Sequence, residues 1–294
     1  MKGTLLLFGA SGRTGQVIAR RAAAEGYRVL APAHAVCPLE NTHAVSDLVL
    51  RSEAGLVINA AAVSNLETCE DDPLHAHLVN AAAPAAMALA CRHTGARFLH
   101  LSTDYVLEGR RAGLKDESIR CKPLNIYGES KREAEFAIAE AYAESVITRV
   151  SWVGGFANHS SFIEQTVLRA RRGEALSAIA DQYSLPTDAE DIARVLLHPA
   201  LAPYRGILHL CSGGAPMSRL DCAVTALREA AACGILPDAP EVQPLRLRDA
   251  TFYRAVRPQH TAMSNARLLS LGIPMPTGEE AIRAIVGRMG RGDE

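Results

Sequence analysis

The 294-residue chain lacks the marks of several common protein classes. It has no C-x-x-C pair, no Cys/His cluster at zinc spacing and no H-x-x-x-H on a convincing helix, so no metal is expected. It lacks an excess of either charge: 31 Lys plus Arg face 32 Asp plus Glu, a formal charge of -1. That balance argues against nucleic acid or an anionic membrane as partner and favours a small molecule. It has no apolar run long enough for a bilayer near its start, since TLLLFGA at residues 4–10 passes straight into a glycine loop. The seven cysteines follow no framework spacing and read as free thiols in a reducing compartment, which makes a cytoplasmic protein the expectation. Aromatic residues are 5% of the chain, so the interior must be built from Ala, Val, Leu and Ile.

What is present is a regular alternation. TLLLFG, YRVLAP, LVINAAA, FLHLST and VITRVSW are short apolar runs separated by Ala-rich helical stretches such as Arg13 to Glu25, Ala76 to Thr94 and Tyr127 to Tyr142. The pattern predicts an α/β chain with a Rossmann-type, doubly wound parallel sheet covered by helices on both faces. After Gly154 it loosens: helices are expected near Phe162 to Arg172, Ala189 to Leu197, Arg219 to Cys233 and Glu279 to Met289, with one strand at GILHLCS. We therefore expect a nucleotide-binding domain over 1–153 and a smaller C-terminal substrate-binding lobe over 154–294, with chain crossovers between them.

The first strand runs into Gly9-Ala10-Ser11-Gly12-Arg13-Thr14-Gly15, a G-x-x-G-x-x-G turn opening a helix. Glycines let a diphosphate reach the backbone, and a helix start offers unpaired N–H groups. Gly9, Ser11, Gly12, Arg13, Thr14 and Gly15 are thus candidate dinucleotide ligands. Further on, Ser102-Thr103-Asp104-Tyr105 closes a strand and Tyr127-Gly128-Glu129-Ser130-Lys131 opens a helix. Tyr127 and Lys131, four apart, share a helical face, where an ammonium would favour the phenolate. Hydride attack on a carbonyl builds charge on oxygen, so a phenol within reach supplies the proton and the Thr103 hydroxyl holds the same oxygen. Lys131 can also bond a nicotinamide ribose. Asn80, at a helix, is either a cleft residue or a cap, and Arg257 is either a diphosphate ligand or a surface cation.

In these segments the sequence resembles the dTDP-4-dehydrorhamnose reductase family of extended short-chain dehydrogenases/reductases. The agreement is ordered along nearly the whole chain: GASGRTG, VINAAA, NAAAP, STDYV, PLNIYGESK followed by Ala134-Glu135, RVSWV, DQYSLPT with a later Asp191, and RPQHTAMS. The resemblance implies reduction of a 4-keto sugar nucleotide, such as dTDP-4-dehydro-6-deoxy-L-mannose to dTDP-L-rhamnose, with Tyr127 as proton donor and Lys131 as its partner. It also implies that Thr103 and Asp104 face the sugar, that Trp152 contacts substrate, that Ala60, Ala61, Ala62 and Val63 line the cofactor cleft, and that a homodimer is possible. Ser161-Phe162 stands where the family often has Asn-Phe. Two other readings share the glycine loop and the Tyr/Lys pair: a sugar-nucleotide epimerase or dehydratase, and a non-catalytic NADP-binding subunit resembling that of methionine adenosyltransferase. Related dehydratases favour Thr-Asp-Glu where this chain has Thr103-Asp104-Tyr105.

The residues themselves favour NADP(H), with NAD(H) possible. An acid about 20 residues past the glycine turn would hold a ribose 2′-hydroxyl and repel a 2′-phosphate. Here Val29-Leu30-Ala31-Pro32-Ala33-His34 carries none before Glu40, and Arg13 offers a guanidinium.

Overall fold

A computed structural model describes residues 2–155 and 161–291. Its first five strands, β1 (Thr4–Phe8), β2 (Arg28–Leu30), β3 (Leu56–Asn59), β4 (Arg97–Thr103) and β5 (Val146–Val150), lie where the apolar runs predict them. Between them run α1 (Arg13–Ala24), α2 (Thr42–Arg51), α3 (Leu66–Asp71), α4 (Pro73–His77), α5 (Ala83–Thr94) and α6 (Ile126–Ala141). With strand Gly206–His209 added at one edge, six strands form a wholly parallel sheet in the order Gly206–His209, β5, β4, β3, β1, β2.

Alternate side chains of each strand enter different cores. Leu5 and Leu7 of β1 pack with Val17, Ile18 and Ala22 of α1 and with Ile192 and Leu196 of helix Ala189–Leu196. Leu6 and Phe8 face the other way, onto Val45 and Val49 of α2, Met87 and Cys91 of α5, and Ala134 and Ile138 of α6. Both faces are dry, which is why these strands read as continuous apolar runs. Segments on either side of residue 153 thus build the one large sheet.

A third core joins helices Phe162–Arg171, Arg219–Ala232 and Gly278–Arg291 through Ile163, Val167, Ala226, Leu227, Ile282 and Val286. Beside it, Leu176–Ile179 pairs in parallel with Val242–Leu245, a pair the sequence pattern does not predict. Gln243 and Pro244 break the apolar pattern of the second strand, and proline within a strand speaks for an edge or for no strand at all. The expected helix from Ala76 to Thr94 is also modified: α4 and α5 are joined by a π turn over Leu78–Ala82, which buries Asn80. By length and composition the run Pro73–Thr94 could cross a bilayer, yet 56% of its most apolar window is buried in the protein.

Strand order reverses between β1 and β3, because the chain leaves β1 toward β2 and returns on the other side. In open parallel sheets, ligands bind beyond the carboxyl ends of strands at such a point. The glycine turn follows β1 there, and Ala60–Val63 follow β3.

Candidate active site

A cavity of about 620 Å³ opens at this reversal. Its wall includes Gly9, Ser11, Gly12, Arg13 and Thr14 from the turn after β1, and Ala60, Ala61, Ala62 and Val63 after β3. Thr103, Asp104, Tyr127, Lys131 and Trp152 belong to the same wall. Residues far apart in the chain thus meet because four parallel strands end on one side.

The turn after β1 is built for close approach. Gly9 has φ +81°, and a Cβ there would lie 2.5 Å from the Ala61 nitrogen. A Cβ on Gly15 would lie 2.0 Å from the Gly9 oxygen, so Gly15 packs the helix onto the turn and is not itself on the wall. No side chain caps α1 and its first turn carries no acid, so its N–H groups and positive dipole end are left for an anion. Backbone amides, a helix start and a floor without side chains fit a dinucleotide diphosphate.

Asn80 lies behind the wall. Its amide oxygen accepts from Val63 N–H at 2.9 Å, and its amide nitrogen donates to the Val63 carbonyl and the Ser130 hydroxyl, each at 3.0 Å. It clamps the loop after β3 to α6 rather than lining the cleft or capping a helix.

The reactive end is assembled on β4 and α6. The Asn125 side chain accepts from Gly128 N–H at 2.8 Å and starts α6, which presents Tyr127 and Lys131. Thr103 and Tyr127 lie on the same wall, and burial pushes the Tyr127 phenol above its ordinary value. Tyr105 packs edge-on against Tyr127 with ring centroids 6.0 Å apart. The Asp104 carboxylate accepts from Thr103 at 3.3 Å, from Ser184 at 3.0 Å and from Thr261. Burial outweighs those donors and raises Asp104 to about 6.

Lys131 differs from its expected arrangement. Its Nζ lies 2.9 Å from His100 Nε2, and among the described residues no hydrogen bond joins it to Tyr127. Burial lowers it to about 7, against a smaller opposing effect of Glu135. In this arrangement an ammonium is not what tunes the phenol.

At the far end Trp152 has φ +39°, a left-handed conformation that costs a bulky residue on the order of 1–3 kcal/mol. Its indole Nε1 is buried without a hydrogen-bond partner among the described residues, and the Arg219 guanidinium stacks 3.6 Å over its ring. Arg219 also lines the cavity, next to Phe162. No sequence signal marked Arg219, which follows an ordinary Ser218 cap. His100 was equally unmarked, although a polar residue inside the apolar run FLHLS is a usable hint.

Arg257 is a correction: the structure does not bring it to the cavity wall. Its guanidinium pairs with Glu67 at 2.7 Å, donates to the Ala255 carbonyl at 2.6 Å and stacks on Tyr253. Those partners already satisfy the charge that was to meet a diphosphate. His34, Glu40 and His75 do reach the wall, and His75 Nδ1 lies 3.5 Å from Glu40. Among the described residues no cluster of His, Cys, Asp and Glu could hold a metal ion.

Comparison with known proteins agrees with this geometry. The family described as RmlD substrate binding domain matches residues 1–290. A dTDP-4-dehydrorhamnose reductase of Mycolicibacterium smegmatis is 33% identical, over 96% of this chain and 86% of that protein. One from Escherichia coli is 33% identical, over 79% of each. The crystal structure of the Bacillus anthracis dTDP-4-dehydrorhamnose reductase in complex with NADP superposes with a TM-score of 0.89 at 25% identity, covering 97% of this chain and 99% of that one. A Thermus thermophilus UDP-glucose 4-epimerase in complex with NAD shares the fold at a TM-score of 0.79 and 20% identity, covering 99% of this chain and 100% of the other. On the match over residues 1–290 and these relatives, the chain belongs to the RmlD substrate-binding-domain family, that of the dTDP-4-dehydrorhamnose reductases.

Proposed function

We propose that this protein reduces the 4-keto group of a dTDP-linked 6-deoxy sugar with NADPH, converting dTDP-4-dehydro-6-deoxy-L-mannose to dTDP-L-rhamnose or a close relative. The observation that carries the reading is that Thr103 and Tyr127 line the same cavity as the open N-terminus of α1. The family's reductase members and the NADP complex of the Bacillus anthracis structure support it.

The dinucleotide, when bound, supplies hydride to the keto carbon. Tyr127 donates the proton to the keto oxygen, and the raised value of its phenol keeps that proton in place at neutral pH. Thr103, whose single hydroxyl proton points at Asp104 in this structure, turns it to the same oxygen when substrate binds, while Ser184 and Thr261 keep Asp104 satisfied. Lys131 binds the nicotinamide ribose. The glycine turn and the start of α1 hold the diphosphate, and Arg13 with His34 face a 2′-phosphate where other dinucleotide folds place an acid. Trp152 and Arg219 form the wall against sugar or base. Seven free cysteines suit a cytoplasmic enzyme.

Stoichiometric consumption of NADPH with a 4-keto dTDP-sugar tests the reading. An epimerase consumes none over a full cycle, and a non-catalytic subunit gives no turnover. Either of those results overturns it.

A further inference from the structure

Asn59, His100 and Lys131 form a buried hydrogen-bonded chain across two strands and a helix. Asn59 and His100 are direct partners in the parallel register of β3 and β4. All three side chains are almost completely withdrawn from solvent, at 0%, 0% and 1% exposure. Asn59 Oδ1 accepts from Ala61 N–H at 3.0 Å, a group that can only donate, so the amide has one orientation. Its Nδ2 therefore points a hydrogen at His100 Nδ1, 3.1 Å away. Nδ1 must accept, and the proton of the neutral imidazole then sits on Nε2, facing Lys131 Nζ at 2.9 Å. An Nε2–H needs an acceptor. An ammonium has none, whereas a neutral amine offers its lone pair.

We propose that Asn59 and His100 hold Lys131 as a neutral amine, and that binding a nicotinamide dinucleotide through Lys131 draws a proton from solvent onto it. The inference rests on the reading of Lys131 as the ribose contact. Hydroxyl oxygens of a ribose supply the acceptors that an ammonium requires and that His100 withholds. His100 is then a positioning residue, acting on the ligand through Lys131.

Other charged groups around Lys131 do not replace this partner. On its own helix, Glu135 favours the charged form but is engaged by Ser102, Arg132 and Arg149. Tyr127, also on α6, is a raised and hence neutral phenol. After β4, Asp104 is committed to three hydroxyls, and on α3 the Cys69 thiol is pushed up to about 11. Asn59 on β3 is uncharged. The site as a whole lowers Lys131 to about 7.

The test is isothermal titration of the full-length protein with NADPH at about pH 8, repeated in buffers of different ionisation enthalpy. At that pH the 2′-phosphate is close to fully deprotonated and contributes little. The unmodified protein should take up close to one proton per chain, and its Kd should weaken about tenfold for each pH unit above neutrality. Asn59→Asp keeps the shape but accepts from Nδ1–H, which makes Nε2 the acceptor and charges Lys131 beforehand, so uptake should vanish. His100→Gln, which can turn an amide oxygen to an ammonium, should do the same if Asn59→Asp does not fold. Lys131→Met should bind weakly with no uptake. Binding without uptake in the unmodified protein, or equal uptake in either tautomer variant or in Lys131→Met, overturns the proposal. No binding of NADPH at all overturns instead the dinucleotide reading on which it stands.

Discussion

Two buried basic side chains, Arg149 and Lys131, lie between α6 and the sheet, and the fold treats them oppositely. Arg149 on β5 is 1% exposed and meets Glu135 in a two-pronged contact, Nε to Oε1 and Nη2 to Oε2, each 2.8 Å. Ser102 and Arg132 complete the carboxylate's shell at 2.7 and 2.9 Å, and Glu135 lies below its usual range even though burial alone would raise it. Lys131, one helical turn before Glu135 and equally buried, has a histidine in place of a carboxylate and is lowered. A buried charge is tolerated when paired and hydrogen-bonded; otherwise the group gives it up. Arg149 is therefore committed to the fold, while Lys131 is held back for something the fold does not contain.

The comparison can be broken or sharpened by substitution. Tyr127→Phe leaves both basic side chains untouched and removes the proton donor, so kcat should fall on the order of 10² to 10⁴ with dinucleotide affinity nearly unchanged. Near-normal turnover would show that the chemistry lies elsewhere.

Arg149→Met removes the two-pronged partner of buried Glu135, leaving it only Ser102 and Arg132, and should cost about 3–5 kcal/mol of stability in denaturant titrations. Lys131→Met strands no ion but leaves the His100 Nε2–H without its acceptor, so it should cost less, about 1–2 kcal/mol, yet lose dinucleotide affinity and kcat together. Similar stability losses in the two variants would erase the distinction between them. The same pair differs in pH dependence. The unfolded chain holds an ordinary lysine proton up to 10.5, whereas folded Lys131 sheds it above about 7. The unfolded state thus binds more protons across that window, and this residue makes stability rise with pH there. Lys131→Met should flatten the rise, measured by chemical denaturation at several pH values.

At the substrate end, Trp152→Ala should raise KM for the sugar nucleotide about thirtyfold, more than for NADPH, if the aromatic anchors a sugar or base. A large fall in melting temperature without a selective change in KM would instead make it a core residue. The smallest effect is expected for Arg13→Ala, which should narrow a preference for NADPH over NADH by about tenfold through loss of one charge-assisted contact. An unmodified protein that prefers NADH would contradict the role given to Arg13.

What could be read from the sequence follows the range of the interaction. The glycine turn, the Ser-Thr strand end and Tyr127 with Lys131 are local patterns, set by the needs of a turn or by one helical face, and all reach the cavity region as expected. Arg257 shows the limit. A lone Arg carries no sign that Glu67, far away in the chain, already neutralises it. Arg219 reaches the wall only because helix Arg219–Ala232 starts beside Trp152, a tertiary fact. The role of Asn80 hangs on a π turn, and that of His100 on the register of β3 against β4. Apolar periodicity encodes neither. Val242–Leu245 escaped for a simpler reason, since its Pro244 argues locally against the strand that its parallel neighbour completes.

The account stands on hydride transfer to the keto carbon in this cavity. NADPH carrying deuterium at the transferable position of its nicotinamide, incubated with a 4-keto dTDP-sugar, measures that transfer by mass spectrometry and NMR of the sugar. The expected result is a product with deuterium retained at C4 and an equal amount of oxidised dinucleotide, both abolished to the extent that Tyr127→Phe lowers turnover. A product formed without deuterium at C4, or with the dinucleotide still reduced, would contradict the assignment of this site as a reductase.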